Sequence, residues 1–259
     1  MKGIIFFFGI VISVVVSVFV VLPEVSARTI IPDNVVIDEA TRQAVLNSTI
    51  KISFFAPAVD ENGQPVVNVV NGERQVVYTG GTGLGTVVNH NGETIIITHD
   101  HWKLIDNPQA FVELANAQGA VLVTMSGPEF GTLIRYRDGG TTIVNMPEGL
   151  AGYFIPATSN AVASVERSNV LTIAYRNQDD SVSVAATVVS DLSRVEGLDM
   201  VEMTSANGEI IYTGNSGGGV FAQGQLVANM WATILTQDNG SDDMNHTERS
   251  RAALLPVAF

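Results

Sequence analysis

Tyr212-Thr213-Gly214-Asn215-Ser216-Gly217-Gly218-Gly219-Val220-Phe221 sets one serine among four glycines and follows them with an apolar pair. Glycine reaches backbone angles that other residues disfavour, so the amides of Gly214 and Ser216 can turn toward one point and form an oxyanion hole beside the Ser216 hydroxyl. An ordinary glycine-rich turn has the same composition, so the chemical reading needs a partner. Ile95-Ile96-Ile97-Thr98-His99-Asp100-His101-Trp102 supplies it. Its β-branched run stops at His101, a rigid strand end suited to holding a general base. A serine beside such a histidine is the pairing that nucleophilic catalysis requires.

The 259 residues suffice for one large β domain or two small ones. A net charge of -13 with only 13 scattered Lys and Arg argues against phosphate-backbone binding, so nucleic acid is not an expected partner. Cysteine is absent, which excludes disulfides and thiolate metal sites and leaves packing to hold the fold. Residues 1–27 carry Lys2, an apolar run from Ile4 to Leu22, and small residues before Arg28. This reads as a secretory signal peptide cut after Ala27, with an uncleaved membrane anchor as the alternative. Either way the expected location is secreted or extracytoplasmic, and the lack of cysteine in an exported chain suggests a bacterial source.

Beyond the leader, Asp38 to Leu46 reads as a short amphipathic helix and Thr49 to Phe55 as the first strand. A glycine cluster at Gly80-Gly81-Thr82-Gly83-Leu84-Gly85 feeds a strand that turns at Asn89-His90-Asn91-Gly92 into the run ending at His101. Further short strands are expected at Phe111–Leu114, Val121–Met125, Thr132–Tyr136, Thr141–Met146, Val170–Tyr175, Ser181–Val189, Met200–Thr204, Ile210–Tyr212, Val220–Phe221 and Gln225–Ile234. Strands separated by turns about every ten residues indicate an all-β sandwich or barrel, and the length suggests two units. Glu248 to Leu255 reads as a terminal helix.

Thr98-His99-Asp100-His101 resembles the T-x-x-H motif of trypsin-like serine proteases, and Gly214-Asn215-Ser216-Gly217-Gly218 resembles their G-[DN]-S-G-G motif. The similarity spans about Thr49 to Ile234 and is closest to the bacterial HtrA-like branch. It implies two six-stranded antiparallel β-barrels of the chymotrypsin-like type with short N- and C-terminal helices. Residues 28–150 would form an extension and the first barrel, carrying His101, and residues 151–259 the second barrel, carrying Ser216, and a tail. It implies a serine endopeptidase without metal or organic cofactor, acting on polypeptides through an acyl-enzyme. Ser216 would attack, His101 would transfer the proton, and the Gly214 and Ser216 amides would bind the oxyanion. Ile210, Met230 and Trp231 fall at the expected primary pocket, an apolar one. His99 is expected to pack or lie at the surface.

The third triad member is the least legible. Asp138 has the spacing of the bacterial branch, but Asp138-Gly139-Gly140 is also good hairpin chemistry. Aligned instead on the apolar pattern, Thr142 takes the aspartate's place. A missing acid, or Asp106, Glu113, Glu129 or Glu148, are the other options. Asn215 stands where trypsin-type enzymes carry the aspartate that pairs with a newly cut N-terminus, so activation by that route is not expected. Three rivals stay open: a catalytically silent trypsin-like domain used as a protein-binding module, an α/β-hydrolase, whose order of Ser, acid, then His fits poorly here, and a β-sandwich adhesion or envelope protein.

Overall fold

The computed structural model describes residues 35–100, 102, 105–150, 155–156, 160–208, 211–212, 215–233, 246–247 and 249–256. Among the described residues the first element is α1 (Glu39–Ser48), started by Asp38, whose carboxylate accepts from Thr41 N at 2.9 Å. Strands β1 (Thr49–Pro57), β2 (Val67–Val70), β3 (Glu73–Val76), β4 (Tyr78–His90), β5 (Glu93–Thr98), β6 (Phe111–Asn116) and β7 (Val121–Ser126) follow. Helix α2 (Gly127–Leu133), β8 (Ile134–Arg137) and β9 (Thr142–Asn145) complete the first unit. Its antiparallel path runs β7-β6-β1-β4-β5-β9-β8. The two end strands are consecutive in the chain and are bridged by α2. The β2–β3 and β4–β5 hairpins both turn on Asn-Gly, with φ of 52° and 86° at Asn71 and Gly72 and 52° and 85° at Asn91 and Gly92. Two successive positive φ values are what a type I′ turn demands.

β10 (Ile155–Pro156) pairs parallel to β4 and adds an eighth strand to that sheet, and the second unit holds α3 (Ala161–Glu166), β11 (Val170–Arg176), β12 (Val182–Val195) and β13 (Leu198–Ser205). Then come β14 (Ile211–Tyr212), β15 (Gly219–Ala222), β16 (Gln225–Thr233), β17 (His246–Thr247) and β18 (Arg249–Leu254). Six of these close an antiparallel barrel in the order β11-β12-β13-β18-β16-β15. The all-β class and the six-stranded antiparallel barrel agree with the reading of the sequence.

The expected C-terminal helix over Glu248 to Leu255 is corrected to a strand. β18 lies between β13 and β16, with Ala253 opposite both Met200 and Asn229. Alanine favours helix locally, but here the segment pairs on both sides with barrel strands, and tertiary pairing prevails over propensity. Arg251 reinforces the register by pairing with Glu202 directly opposite. Ser126-Gly127-Pro128 has turn composition, yet it starts α2. Ser126 caps it at 3.2 Å from Glu129 N, and proline occupies the first turn.

Ile95-Ile96-Ile97 shows why the strand before His101 does not alternate. All three are fully buried, Ile96 in the first unit's core with Ile52, Val112 and Val144. Ile95 and Ile97 face the other way, into a cluster shared with Leu171, Val220 and Val227 of the barrel. A strand covered on both faces reads as a continuous apolar run. Replacing Ala252, which is 0% exposed, by aspartate is expected to lower stability by on the order of 3 kcal/mol or more, since a barrel interior offers the carboxylate no partner. Urea titration measures this, and an unchanged midpoint would contradict the central placement of β18.

Candidate active site

Ser216 lies between β14 and β15, three residues before Gly219, in a loop fixed by backbone contacts. Gly217 N donates to Met230 O at 2.8 Å, Met230 N to Gly218 O at 2.8 Å, and Gly218 N to Asn215 O at 2.9 Å. Those amides are therefore committed, whereas Ser216 N meets no carbonyl among the described residues. From the first unit, Leu84 N donates to Ser216 O at 2.9 Å, while Thr98 Oγ1 donates to Leu84 O at 2.6 Å. Gly217 has φ of 87°, and a Cβ there would lie 2.0 Å from Leu84 O, 2.4 Å from Thr98 Oγ1 and 3.0 Å from His99 N. Only glycine permits this approach. The loop that carries Ser216 thus lies directly against the end of β5. Ser216 Oγ, half-buried, donates over 3.4 Å to Trp231 O.

Asn215 is 3% exposed. Its Oδ1 accepts from Arg176 N and its Nδ2 donates to Arg176 O at 3.4 Å, so the carboxamide satisfies both backbone groups at the end of β11. Of the two residues expected in the pocket that are described, Met230 is turned into the barrel core at 1% exposure, and Trp231 is half-buried beside Ser216. Ile210, Gly214 and His101 lie outside the described residues, as does the leader.

The residues around position 101 are pinned on both sides. Trp102 is buried in the first unit's core with its ring edge-on to Phe130 at 6.0 Å. Asp100 accepts from Arg137 Nε at 2.6 Å and from Gly139 N at 3.2 Å. His99, expected to pack or lie at the surface, is buried at 7% exposure. Its Nδ1 lies 2.9 Å from Gly140 O. A carbonyl only accepts, so Nδ1 carries the proton. The ring also meets the Trp231 ring edge-on at 6.2 Å, joining the end of β5 to β16. Burial holds the His99 pKa below its ordinary value, against the opposing effects of the Gly140 hydrogen bond and of the charges on Asp100 and Asp138.

Asp138 opens the turn between β8 and β9. Its Oδ1 accepts from Gly140 N at 2.9 Å and Thr141 N at 2.6 Å, and its Oδ2 accepts from the Tyr136 hydroxyl at 3.1 Å. Burial and that carboxylate raise the Tyr136 pKa, so the phenol stays a donor. Asp138 also lines a cavity of about 240 Å³ with Val162, Leu198 and Leu254. Thr142, the alternative alignment position, is fully buried opposite Thr98. Asp106, Glu129 and Glu148 are exposed, and Glu113 sits in β6, separated from β5 by β1 and β4.

Two outcomes follow from this geometry. Gly217→Ala, which places a methyl on a carbonyl oxygen, is expected to cost on the order of 3 kcal/mol or more in urea unfolding. Gly224→Ala, at φ of 76° with nothing within 4 Å, is the control and costs about 1–2 kcal/mol. For His99, a lowered folded pKa means that the unfolded chain binds more protons once the pH falls below about 6.5. The contribution is complete above that pH and is lost on acidification, at no more than about 1.4 kcal/mol per pH unit. His99→Gln should flatten the slope of stability against pH between 6.5 and 5, read from urea midpoints.

The sequence matches no known family model and no curated protein. Solved structures do resemble the fold. The HtrA-type protease AlgW with decapeptide aligns at a TM-score of 0.53 and 11% identity, over 84% of this chain and 64% of that one. The same protease with tripeptide aligns at 0.51 and 14%, over 84% and 60%. The chain therefore spans about three fifths of the length of those proteins. Its architecture is the chymotrypsin-like protease fold, in the form found in HtrA-type proteases.

Proposed function

We propose that the chain is an exported serine endopeptidase in which Ser216 attacks a peptide carbonyl, His101 takes the hydroxyl proton and returns it to the leaving amine, and Asp138 orients His101. The observation that carries this reading is the contact of Gly217 with Thr98 and His99, which brings the serine loop against the strand end that leads to His101. Both residues before His101 grip the turn headed by Asp138, His99 through Gly140 O and Asp100 through Gly139 N. That arrangement favours a carboxylate at the start of this turn as the partner of the next residue along. The amide of Ser216, which meets no carbonyl among the described residues, would with that of Gly214 receive the oxyanion. Polypeptide substrates agree with the peptides bound by the HtrA-type neighbours, and Trp231 would form a wall of an apolar primary pocket. The membrane becomes a partner only if residues 1–27 stay attached.

One observation favours a second reading. Both oxygens of Asp138 already serve Tyr136 and the turn amides, as they would in a silent domain that binds protein without cutting it. Fluorophosphonate labelling separates the two. Ser216 of the parent is expected to label, Ser216→Ala and His101→Ala not to, and Asp138→Asn to label more slowly by roughly three to four decades, the cost of losing tautomer control. A folded parent that fails to label would establish the silent reading, and an Asp138→Asn variant that labels at the parental rate would remove Asp138 from the triad.

A further inference from the structure

A ring of contacts surrounds the Ser216 loop and crosses between the two units twice. Leu84 N donates to Ser216 O at 2.9 Å. In the β1–β4 register, Leu84 lies directly opposite Lys51. The Lys51 side chain is only 8% exposed, and its ammonium donates to Asp180 O at 3.0 Å and pairs with Asp180 Oδ2. Gly119 borders the amine, since a Cβ there would lie 3.8 Å from Nζ. Asp180 belongs to the β11–β12 turn, where it holds φ of 69°, and its Oδ1 lies 3.2 Å from Arg176 Nη1. Arg176 is the residue whose backbone Asn215 grips at both polar atoms. Asn215 leads back into Ser216.

Magnitudes separate two possible uses of this ring. Asp180 is 56% exposed, and ion pairs with a solvated member contribute little to global stability. Catalysis is far more sensitive, because misplacing a reacting group by about 1 Å costs roughly 100-fold in rate. A buried ammonium held by a surface turn therefore suits a device that aims a loop better than one that holds a fold together.

We propose that the Lys51–Asp180 ion pair is a positioning device for Ser216: it fixes the β11–β12 turn and the Arg176 backbone, and Asn215 transmits that position to the nucleophile and its amide. The inference rests on Ser216 being the nucleophile. Lys51, Asp180 and Arg176 act through Asn215 and do not touch the reacting atoms.

The test uses the full chain as parent, Lys51→Met, Asp180→Asn, the double variant and Lys51→Arg. Maximal fluorophosphonate labelling rate, probe affinity and amide exchange at Gly217 and Gly218 are measured on each. Each single variant should label more slowly by roughly ten-fold or more, with probe affinity and urea midpoint near parental and faster exchange at both glycines. The double variant should be no slower than the worse single, because one device has been removed twice, and Lys51→Arg should recover part of the rate. Asn is tolerated at positive φ, so Asp180→Asn keeps the turn and decides the matter if Lys51→Met misfolds. Parental labelling and parental exchange in folded Asp180→Asn would overturn the proposal. If the parent itself does not label, the nucleophile reading falls and exchange at Gly217 and Gly218 alone decides whether the ring sets the loop.

Discussion

The amide of Leu84 donates to the carbonyl of Ser216, and the next residue lies so close to β4 and β5 that a methyl group there would sit 2.0 Å from Leu84 O. That approach is the constraint on which the site depends. It is made by two backbones, so no rotamer can relax it and only glycine fits. The first unit reaches the contact through glycines of its own. A Cβ at Gly80 would stand 2.0 Å from Phe54 O, and one at Gly85 would meet Ile52 and Ile96 at 3.0 Å. The glycine cluster ahead of the histidine strand thus draws β4 down onto β1 and β5 and sets Leu84 where the second unit can bind it. Gly219 continues the theme across the seam, with Thr86 Oγ1 2.6 Å from where its Cβ would be.

Much of this was legible in the sequence. The serine loop, the strand ending before His101, the Asn-Gly hairpins and the two-unit β architecture all leave local signals: glycine where φ is positive, β-branched runs where both faces are covered, turn residues between. β18 left a misleading one, because Arg249 to Leu254 is a good helical sequence and its strand state depends entirely on β13 and β16, which lie far away in the chain. His99 was equally hidden. Nothing local tells that a histidine two residues before His101 donates to Gly140 O and stacks edge-on against Trp231, since both partners arrive from other strands. Lys51 reads as a strand residue on a surface face, and its burial appears only when the β11–β12 turn is folded over it.

Charge in this acidic chain is used sparingly and locally. Arg137 pairs with Asp100, Arg176 and Lys51 with Asp180, Arg251 with Glu202, and Arg42 donates to Val184 O. Each contact ties one strand or turn to another. The Asp100 and Asp180 pairs stand nearest the serine and histidine segments. Packing supplies the bulk of the stability in a chain without disulfides, and these cations tie the segments around Ser216 and His99 to neighbouring turns.

Asp138 joins these two roles in one side chain. A carboxylate offers about four acceptor positions, and Gly140 N, Thr141 N and the Tyr136 hydroxyl occupy three. Those three donors do not compete with an imidazole for the remaining position. They fix the carboxylate's plane, and they hold the Gly140 carbonyl where His99 donates to it. A turn cap and an orienting acid are therefore compatible in geometry, and the cap supplies the rigidity that an orienting acid needs. The same donors would serve a purely structural turn equally well, so the turn that Asp138 caps does not by itself assign its chemistry.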